Sequence, residues 1–397
     1  MEHNKLIFSK VPTLRFAEYT DEWHKFALSD FVTRITRRNK NNESSLPLTI
    51  SAQYGLVDQI TFFNKTVASV DLSGYYLLYN GDFAYNKSYS NDYAWGAVKR
   101  LDKYEKGCLS SLYFVFRPTD KVDSDYLTHY FETNKWHKGI SDIAGEGARN
   151  HGLLNMSVDD YFATKHYLPT LPEQRKIADF LNLIVKRIEI QNKIISKYET
   201  LIKGISNILI HSFSLHSKVK LSDILLEYNE RTQINNEYPI LSSTMNGIFA
   251  QSDYFNKQAA SEDTIGYKKV PYGYCTYRSM SDTGVFKFNL QKVVDLGIVS
   301  PAYPVFTSTV YDIDFVVFYM NNAISFKRQI LEAKEGGTRF ALSYSKLIDL
   351  TIPNIPKIQQ KKIVDTYSTF SKKIEIEKAI LSKLKEQKDY LLSKMFI

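Results

Sequence analysis

The chain has 397 residues, 44% of them hydrophobic, enough to bury ordinary cores and long enough for two or three domains. Fifty-one Lys and Arg against 43 Asp and Glu leave a net charge of +8 and a pI near 9.0, a balance that suits an anionic partner such as nucleic acid or a membrane surface, or simply a solvated basic face. The two cysteines, Cys108 and Cys275, stand far apart with no metal-type spacing, which argues against a disulfide framework or a zinc site and fits a reducing cytoplasm. The opening "MEHNKLIFSKVPTLRF" has no signal-peptide apolar core, and no unbroken run of about 18 apolar residues follows, so neither export nor a membrane span is expected.

In chain order, "LSDFVTRI" from Leu28 predicts a Ser-capped helix start, followed by a basic cluster of Arg34, Arg37, Arg38 and Lys40 among asparagines. Aromatic and β-branched runs, "SGYYLLYNGDFAY" and "SLYFVF", predict short strands punctuated by Gly, Asn and Asp. A long helix is predicted from "LPEQRKIADF" at Leu171, where Thr170 and Glu173 match a capping box around Pro172. The series then restarts with "LSDILLEY" and "YPVFTSTV" and closes on a second helix, for which Asn354 is the expected cap.

The restart is a repeat of about 190 residues, a period that belongs to whole domains rather than to solenoid units. "FFNK" at 62–65 returns as "YFNK" at 254–257, and Lys87-Ser88 returns as Arg278-Ser279. Gly107 with "SSLYFVF" returns as Gly297 with "SPAYPVF", "GAR" ending at Arg149 as "GTR" ending at Arg339, and "KRIEI" at 186–190 as "KKIEI" at 372–376. The plan is therefore globular unit, helix, globular unit, helix, each unit of mixed α and β character.

Both helices carry a narrow apolar seam in alternating steps of four and three. It runs through Ile177, Leu181, Ile184, Ile188, Gln191 and Ile195 in the first copy, and through Ile363, Phe370, Ile374, Glu377, Leu381 and Leu384 in the second. A helix of about 40 residues is ~60 Å long, more than a compact domain covers, so antiparallel pairing of the two in an intramolecular coiled coil, with approximate two-fold symmetry, is expected. Gln191 and Glu377 hold the same polar seam position, and as a hypothesis they set the register. Replacing both by leucine should then raise stability and loosen register, and unchanged behaviour would refute this.

Catalytic signatures are missing from the sequence. It has no Walker loop, no Asn/Asp-Pro-Pro-Tyr/Phe tetrapeptide, no glycine-rich nucleotide turn and no zincin helix. "GEGAR" at 145–149 lacks the Lys-Ser/Thr of a phosphate loop, and the eight histidines are scattered, with His151 and His166 read as surface or loop residues. Binding is the better reading. Arg37, Arg38 and Lys40 suit phosphate contacts. Gln53, Asn86, Lys87, Ser88, Tyr89, Arg149 and Asn150 in the first copy, with Thr244, Asn246, Tyr277, Arg278, Ser279 and Arg339 in the second, supply the donors and acceptors that base edges require.

These features resemble the DNA-specificity subunit of type I restriction-modification systems. The resemblance runs from "VPTLRF" and "TDEWHKFALSDF" through "YNKSYS", "GCLSSLYFVF" and "GARNHGLLNMS" to "LPEQRKIADFLNLIVKRIEIQNKII" and its C-terminal echo, which departs from the first motif at Lys357-Ile358 and Lys388. It implies an α+β chain with two mixed target-recognition domains separated by two long antiparallel helices forming a coiled coil, pseudo-two-fold symmetric. The implied boundaries are a first recognition domain over 1–170, a central helix over 171–215, a second recognition domain over 216–353 and a C-terminal helix over 354–397.

By the same resemblance the chain is a cytoplasmic, non-catalytic subunit that reads a bipartite DNA site, one domain per half, with the unread spacer set by the helices. Both domains would meet major grooves on one face of the duplex, tying their separation to the helical repeat of about 34 Å. No cofactor is expected in the chain itself. Two modification subunits would bind S-adenosylmethionine and methylate adenine, and restriction subunits would use ATP and magnesium. The alternative is a coiled-coil scaffold that does not bind DNA. A reader that serves methylation alone is not distinguished from the first reading by this chain.

Overall fold

Short β-branched and aromatic runs cannot form long strands when Gly, Asn and Asp interrupt them every few residues, and the result is a set of small antiparallel sheets. The computed structural model describes residues 10–65, 68–69, 71–90, 93–144, 152–213, 216–251, 263–333 and 340–397. The chain divides into two units, the first made of residues 1–192 and 379–397 and the second of residues 193–378.

In the first unit the strands are β1 (His24–Ala27), β2 (Val32–Arg34), β3 (Leu48–Ser51), β4 (Gly55–Asp58), β5 (Tyr76–Tyr79), β6 (Phe83–Asn86), β7 (Ala97–Arg100), β8 (Lys106–Leu109), β9 (Phe114–Pro118) and β10 (Lys165–Leu168). Short helices α1 (Gln59–Phe63), α2 (Ser124–Tyr130), α3 (His137–Ile143) and α4 (Val158–Ala163) lie between them, and α5 (Leu171–Ser212) is the first long helix. The central sheet has the order β2-β9-β6-β7, with separate pairs β3-β4, β5-β8 and β1-β10.

The second unit repeats this plan. Its strands are β11 (Lys218–Lys220), β12 (Leu226–Glu227), β13 (Leu241–Thr244), β14 (Gly247–Ala250), β15 (Lys268–Pro271), β16 (Cys275–Thr276), β17 (Met280–Ser281), β18 (Asn289–Leu290), β19 (Leu296–Val299), β20 (Val305–Thr307), β21 (Phe340–Ala341) and β22 (Thr351–Pro353). Among the described residues its helices are α6 (Ile313–Asn322), α7 (Ile324–Ala333), α8 (Tyr344–Ile348) and the long α9 (Lys357–Lys394). The sheet β12-β20-β16-β18 matches β2-β9-β6-β7 strand for strand, and the pairs β13-β14, β15-β19 and β11-β22 match the first unit's three. Gly107 and Gly297 show why the repeat is visible in sequence: a Cβ on either would overlap a leucine side chain, Leu48 in one unit and Leu241 in the other.

The seam of each long helix is its inward face. Ile177, Leu181, Ile184, Gln191, Ile195, Ile363, Glu377 and Leu384 are buried, while Ile188, Phe370, Ile374 and Leu381 are half-buried. In the first unit the start of α5 shares one core with the end of α9: Ile177, Ala178, Leu181 and Ile184 pack with Leu391, Leu392, Met395 and Phe396 around Trp23 and Tyr126. In the second unit Phe213, just past the end of α5, joins Ile355 and Ile363 from around the start of α9, and Lys378 pairs with Glu199 at 2.8 Å. Within each unit the two helical segments thus run antiparallel. No helix among the described residues is long and apolar enough to cross a membrane.

Three local expectations are corrected. "LSDF" and "LSDI" form single 3-10 turns, Leu28–Asp30 and Leu221–Asp223, because a strand follows at once and, in the first, Asp30 folds back to accept the Ala27 N–H at 2.7 Å. The capping box of α5 does not form: the Glu173 carboxylate instead holds Arg15 in two hydrogen bonds of 2.7 Å and receives the Trp23 indole N–H at 3.4 Å. Asn354 does not cap α9; its side-chain oxygen accepts the Tyr311 hydroxyl at 2.7 Å.

Candidate nucleic-acid interface

Two loops that the sequence marks separately are joined by the fold. In the first unit the chain leaving β6 pairs with the segment before α4. Leu154 N–H donates to the Lys87 carbonyl at 2.9 Å, Tyr89 N–H donates to the Gly152 carbonyl at 3.0 Å, and Ser88 bridges Leu153. In the second unit Leu342 N–H donates to the Ser279 carbonyl at 2.9 Å, and β17 pairs with β21. "YNKSYS" and "RSMS" therefore each form one rim of a two-stranded edge whose other rim follows the glycine-bearing loop. Arg149, Asn150 and Arg339, from those loops, lie outside the described residues.

Exposed polar side chains project from this edge and from a neighbouring hairpin. Ser88, Tyr89 and Arg278 are exposed, as are Gln53 at the β3-β4 tip and Asn246 at the β13-β14 tip. Lys87 is half-buried, its ammonium 5.0 Å from the centre of the Phe114 ring, so its stem is packed while its charge stays near the surface. Lys40 is exposed.

Other predicted residues have structural work. Asn86 accepts the Ser88 N–H at 2.9 Å and shapes the turn. Thr244 accepts the Asn246 N–H at 3.1 Å and donates to the Gly247 carbonyl at 3.0 Å. Ser279 donates to the Ala302 carbonyl at 2.8 Å. Tyr277 moves from contact to core: it is 0% exposed and its hydroxyl donates to the Leu342 carbonyl at 3.0 Å, leaving no side-chain surface for a base. Arg37 donates to Asp82 and lies 4.4 Å over the Tyr79 ring, and Arg38 donates to the Gly74 carbonyl at 2.8 Å and stacks on Tyr76 at 4.1 Å. Both are half-buried, and their charges brace the sheet edge.

His166 is also corrected. It is 2% exposed in β10, between the Tyr130 hydroxyl and Thr164 Oγ1, both 2.8 Å away, and burial pushes its pKa down to about 4. Among the described residues no group of three or more His, Cys, Asp or Glu could hold a metal ion.

Large apolar side chains beside the exposed amides escaped the sequence reading. Tyr54 is 60% exposed next to Gln53, and Met245 is 58% exposed next to Asn246. The Asn246-Gly247 pair is a strong hairpin signal and could have marked the second tip. Flat or flexible apolar surface beside an amide suits a base, which offers both a face and a hydrogen-bonding edge.

No protein-family profile matches the chain. Solved structures do. The S subunit of a type I restriction-modification system from M. genitalium aligns over 98% of this chain and 99% of its own, with a TM-score of 0.56 and 14% identity. A chain of the type I R-M system whose complex assembly and conformational transition have been described aligns over 94% of this chain and 97% of its own, with a TM-score of 0.53 and 15% identity. At such identity the likeness shows the fold alone, and along nearly its whole length this chain is similar in fold to these two structures.

Proposed function

We propose that the chain is the DNA-specificity subunit of a type I restriction-modification complex, reading a bipartite site with one unit per half. The observation that carries this is the duplicated edge: two units of one topology place Lys87 to Tyr89 and Arg278 to Ser281 at the same point of the fold, with different side chains. A repeated frame with divergent loops is what two different half-sites demand, since phosphate contacts position a protein and loop side chains specify the sequence. The long helices act as the spacer. Chain-wide likeness to S-subunit structures supports the same reading.

The chain itself is a reader without catalytic activity, working in the cytoplasm. Two modification subunits would bind S-adenosylmethionine and methylate an adenine swung out of the duplex. Restriction subunits would supply ATP- and magnesium-dependent translocation and cleavage. The recognition domains are assigned to residues 1–170 and 216–353.

The test is a salt titration of DNA binding by the chain with its modification subunit. A steep fall of affinity with salt and a preference for one split sequence are expected; a scaffold would show neither. Lys87→Ala should relax one half-site and Arg278→Ala the other. Equal weakening of both halves by either substitution would refute the assignment of one unit to each half.

A further inference from the structure

Gln174 and Gln360 stand at the same place in the first turns of α5 and α9, and each is 1% exposed. In the first unit Gln174 Oε1 accepts the Asp123 N–H at 2.8 Å, while its Nε2 donates to the Pro169 carbonyl at 3.0 Å. In the second, Gln360 Oε1 accepts the Asp312 N–H at 2.8 Å, while its Nε2 donates to the Ile355 carbonyl at 2.6 Å. Asp123 and Asp312 are themselves the N-caps of α2 and α6, each side chain accepting two N–H groups from the turn it opens.

One primary amide therefore ties three things together in each unit: the long helix, the chain entering it, and the head of the helix that packs under the sheet. The chemistry admits few alternatives. An ionised glutamate keeps the acceptor but cannot donate, asparagine is a methylene too short, and leucine or methionine leaves a buried N–H and a buried carbonyl without partners. Neighbouring polar contacts are not duplicated in the same way. Arg15 grips Glu173 in the first unit, and the position equivalent to Glu173 in α9 is Gln359. The glutamine grip is what both halves keep.

We propose that Gln174 and Gln360 are positioning residues. Each fixes the angle between a recognition unit and its own long helix, and through that angle the spacing at which DNA half-sites are accepted. The spacing part rests on the DNA-reading proposal, so the test has one arm that uses DNA and one that does not.

For the second arm, spin labels are placed at Lys121→Cys and Lys186→Cys in the first unit, or at Thr309→Cys and Lys372→Cys in the second. These sites are exposed, whereas Cys108 and Cys275 are buried away from the reagent. Gln174→Leu should widen the first pair's distance distribution and leave the second unchanged, and Gln360→Leu should do the reverse. In the DNA arm, the complex with its modification subunits methylates duplexes whose spacer is one base pair longer or shorter than the cognate. The ratio of off-spacer to cognate methylation should rise about tenfold in either variant, with half-site preference kept.

Should the leucine variants fail to fold, Gln174→Asn and Gln360→Asn keep a primary amide in the pocket but fall a methylene short of both partners, and the same widening is expected. Unchanged distances in folded variants would overturn the grip. Widened distances with an unchanged spacer ratio would overturn its role in spacing. A parent complex indifferent to spacer length would instead sink the spacer reading, leaving the label distances to judge the grip.

Discussion

The two units agree on their frame and disagree on their charge. In the first, Arg38 donates to the Gly74 carbonyl and Asn39 N–H to the Tyr75 carbonyl; in the second, Arg231 donates to the Gly266 carbonyl and Thr232 N–H to the Tyr267 carbonyl. The crossed pair of bonds between Gly81, Asp82 and Leu101 recurs between Gly273, Tyr274 and Gln291. Yet Asp82, fully buried and gripped by Arg37 and Arg117, is replaced by Tyr274, which packs edge-on against Tyr228 with ring centres 5.2 Å apart. Backbone-level bonds persist because they hold the topology. Side-chain clusters diverge because more than one can close the same sheet edge.

Asp82 offers the largest break in that comparison. Asp82→Ala leaves two guanidiniums facing a buried void, and since both arginines remain partly exposed the loss should sit at the low end for a broken buried ion pair, about 3 kcal/mol. Hydrogen exchange resolved by unit should report faster opening of β6 and unaltered opening of β16. Equal loosening of both would show that the units do not unfold separately.

Gly107 and Gly297 probe what the units share. An added methyl at either must displace a buried leucine, so Gly107→Ala and Gly297→Ala should each cost about 2 kcal/mol. The same readout should place each loss in its own unit. A markedly unequal pair would mean that Leu48 and Leu241 differ in their room to shift.

Acid separates the units again. Burial opposes the charged form of Glu132, but His129 and then Lys388 and Lys99 outweigh it and hold the carboxyl down at about 2 against an ordinary 4.5. Lys388 reaches it at 2.8 Å, and His129 Nδ1 lies 3.7 Å away. A depressed carboxyl stabilises the fold above its unfolded pKa and ceases to as pH falls through the folded one, so the first unit should weaken between about pH 4.5 and 2. Glu132→Gln should flatten that window. Lys388→Met should cost about 1.5 kcal/mol at neutral pH. The corresponding residue of the second unit, Asn321, exchanges hydrogen bonds with the Phe288 backbone and carries no such dependence.

Lys388 also shows where sequence reading stops. At a seam position it departs from apolar periodicity, and its partner Glu132 is more than two hundred residues away in sequence, so nothing local announces the pair. The same holds for Glu173, whose capping-box spacing is genuine but whose carboxylate Arg15 claims from the N-terminal segment. What was legible was whatever both copies must repeat: the helix seams, Gly107 with Gly297, and the equivalence of the Lys87 and Arg278 loops; that each of these loops pairs with the segment after its glycine-bearing loop was not, because the two are far apart in the chain. The aim of individual loop side chains was not, because Tyr277 and Arg278 are neighbours in the chain, one sealed in the core and the other exposed.

The smallest effect expected is the most direct test of phosphate contact. Lys40 is exposed in the first unit, and the second unit has Gln233 at the equivalent place. If Lys40 touches a phosphate, Lys40→Ala should lower the slope of log affinity against log salt by about 1 while weakening all sequences alike. The converse change, Gln233→Lys, should steepen the slope by a similar amount without altering either half-site, because added charge attracts the backbone and reads no base. An unaltered slope in both variants would move the phosphate-contacting surface away from this part of the sheet edge and leave the paired loops as the whole of the interface.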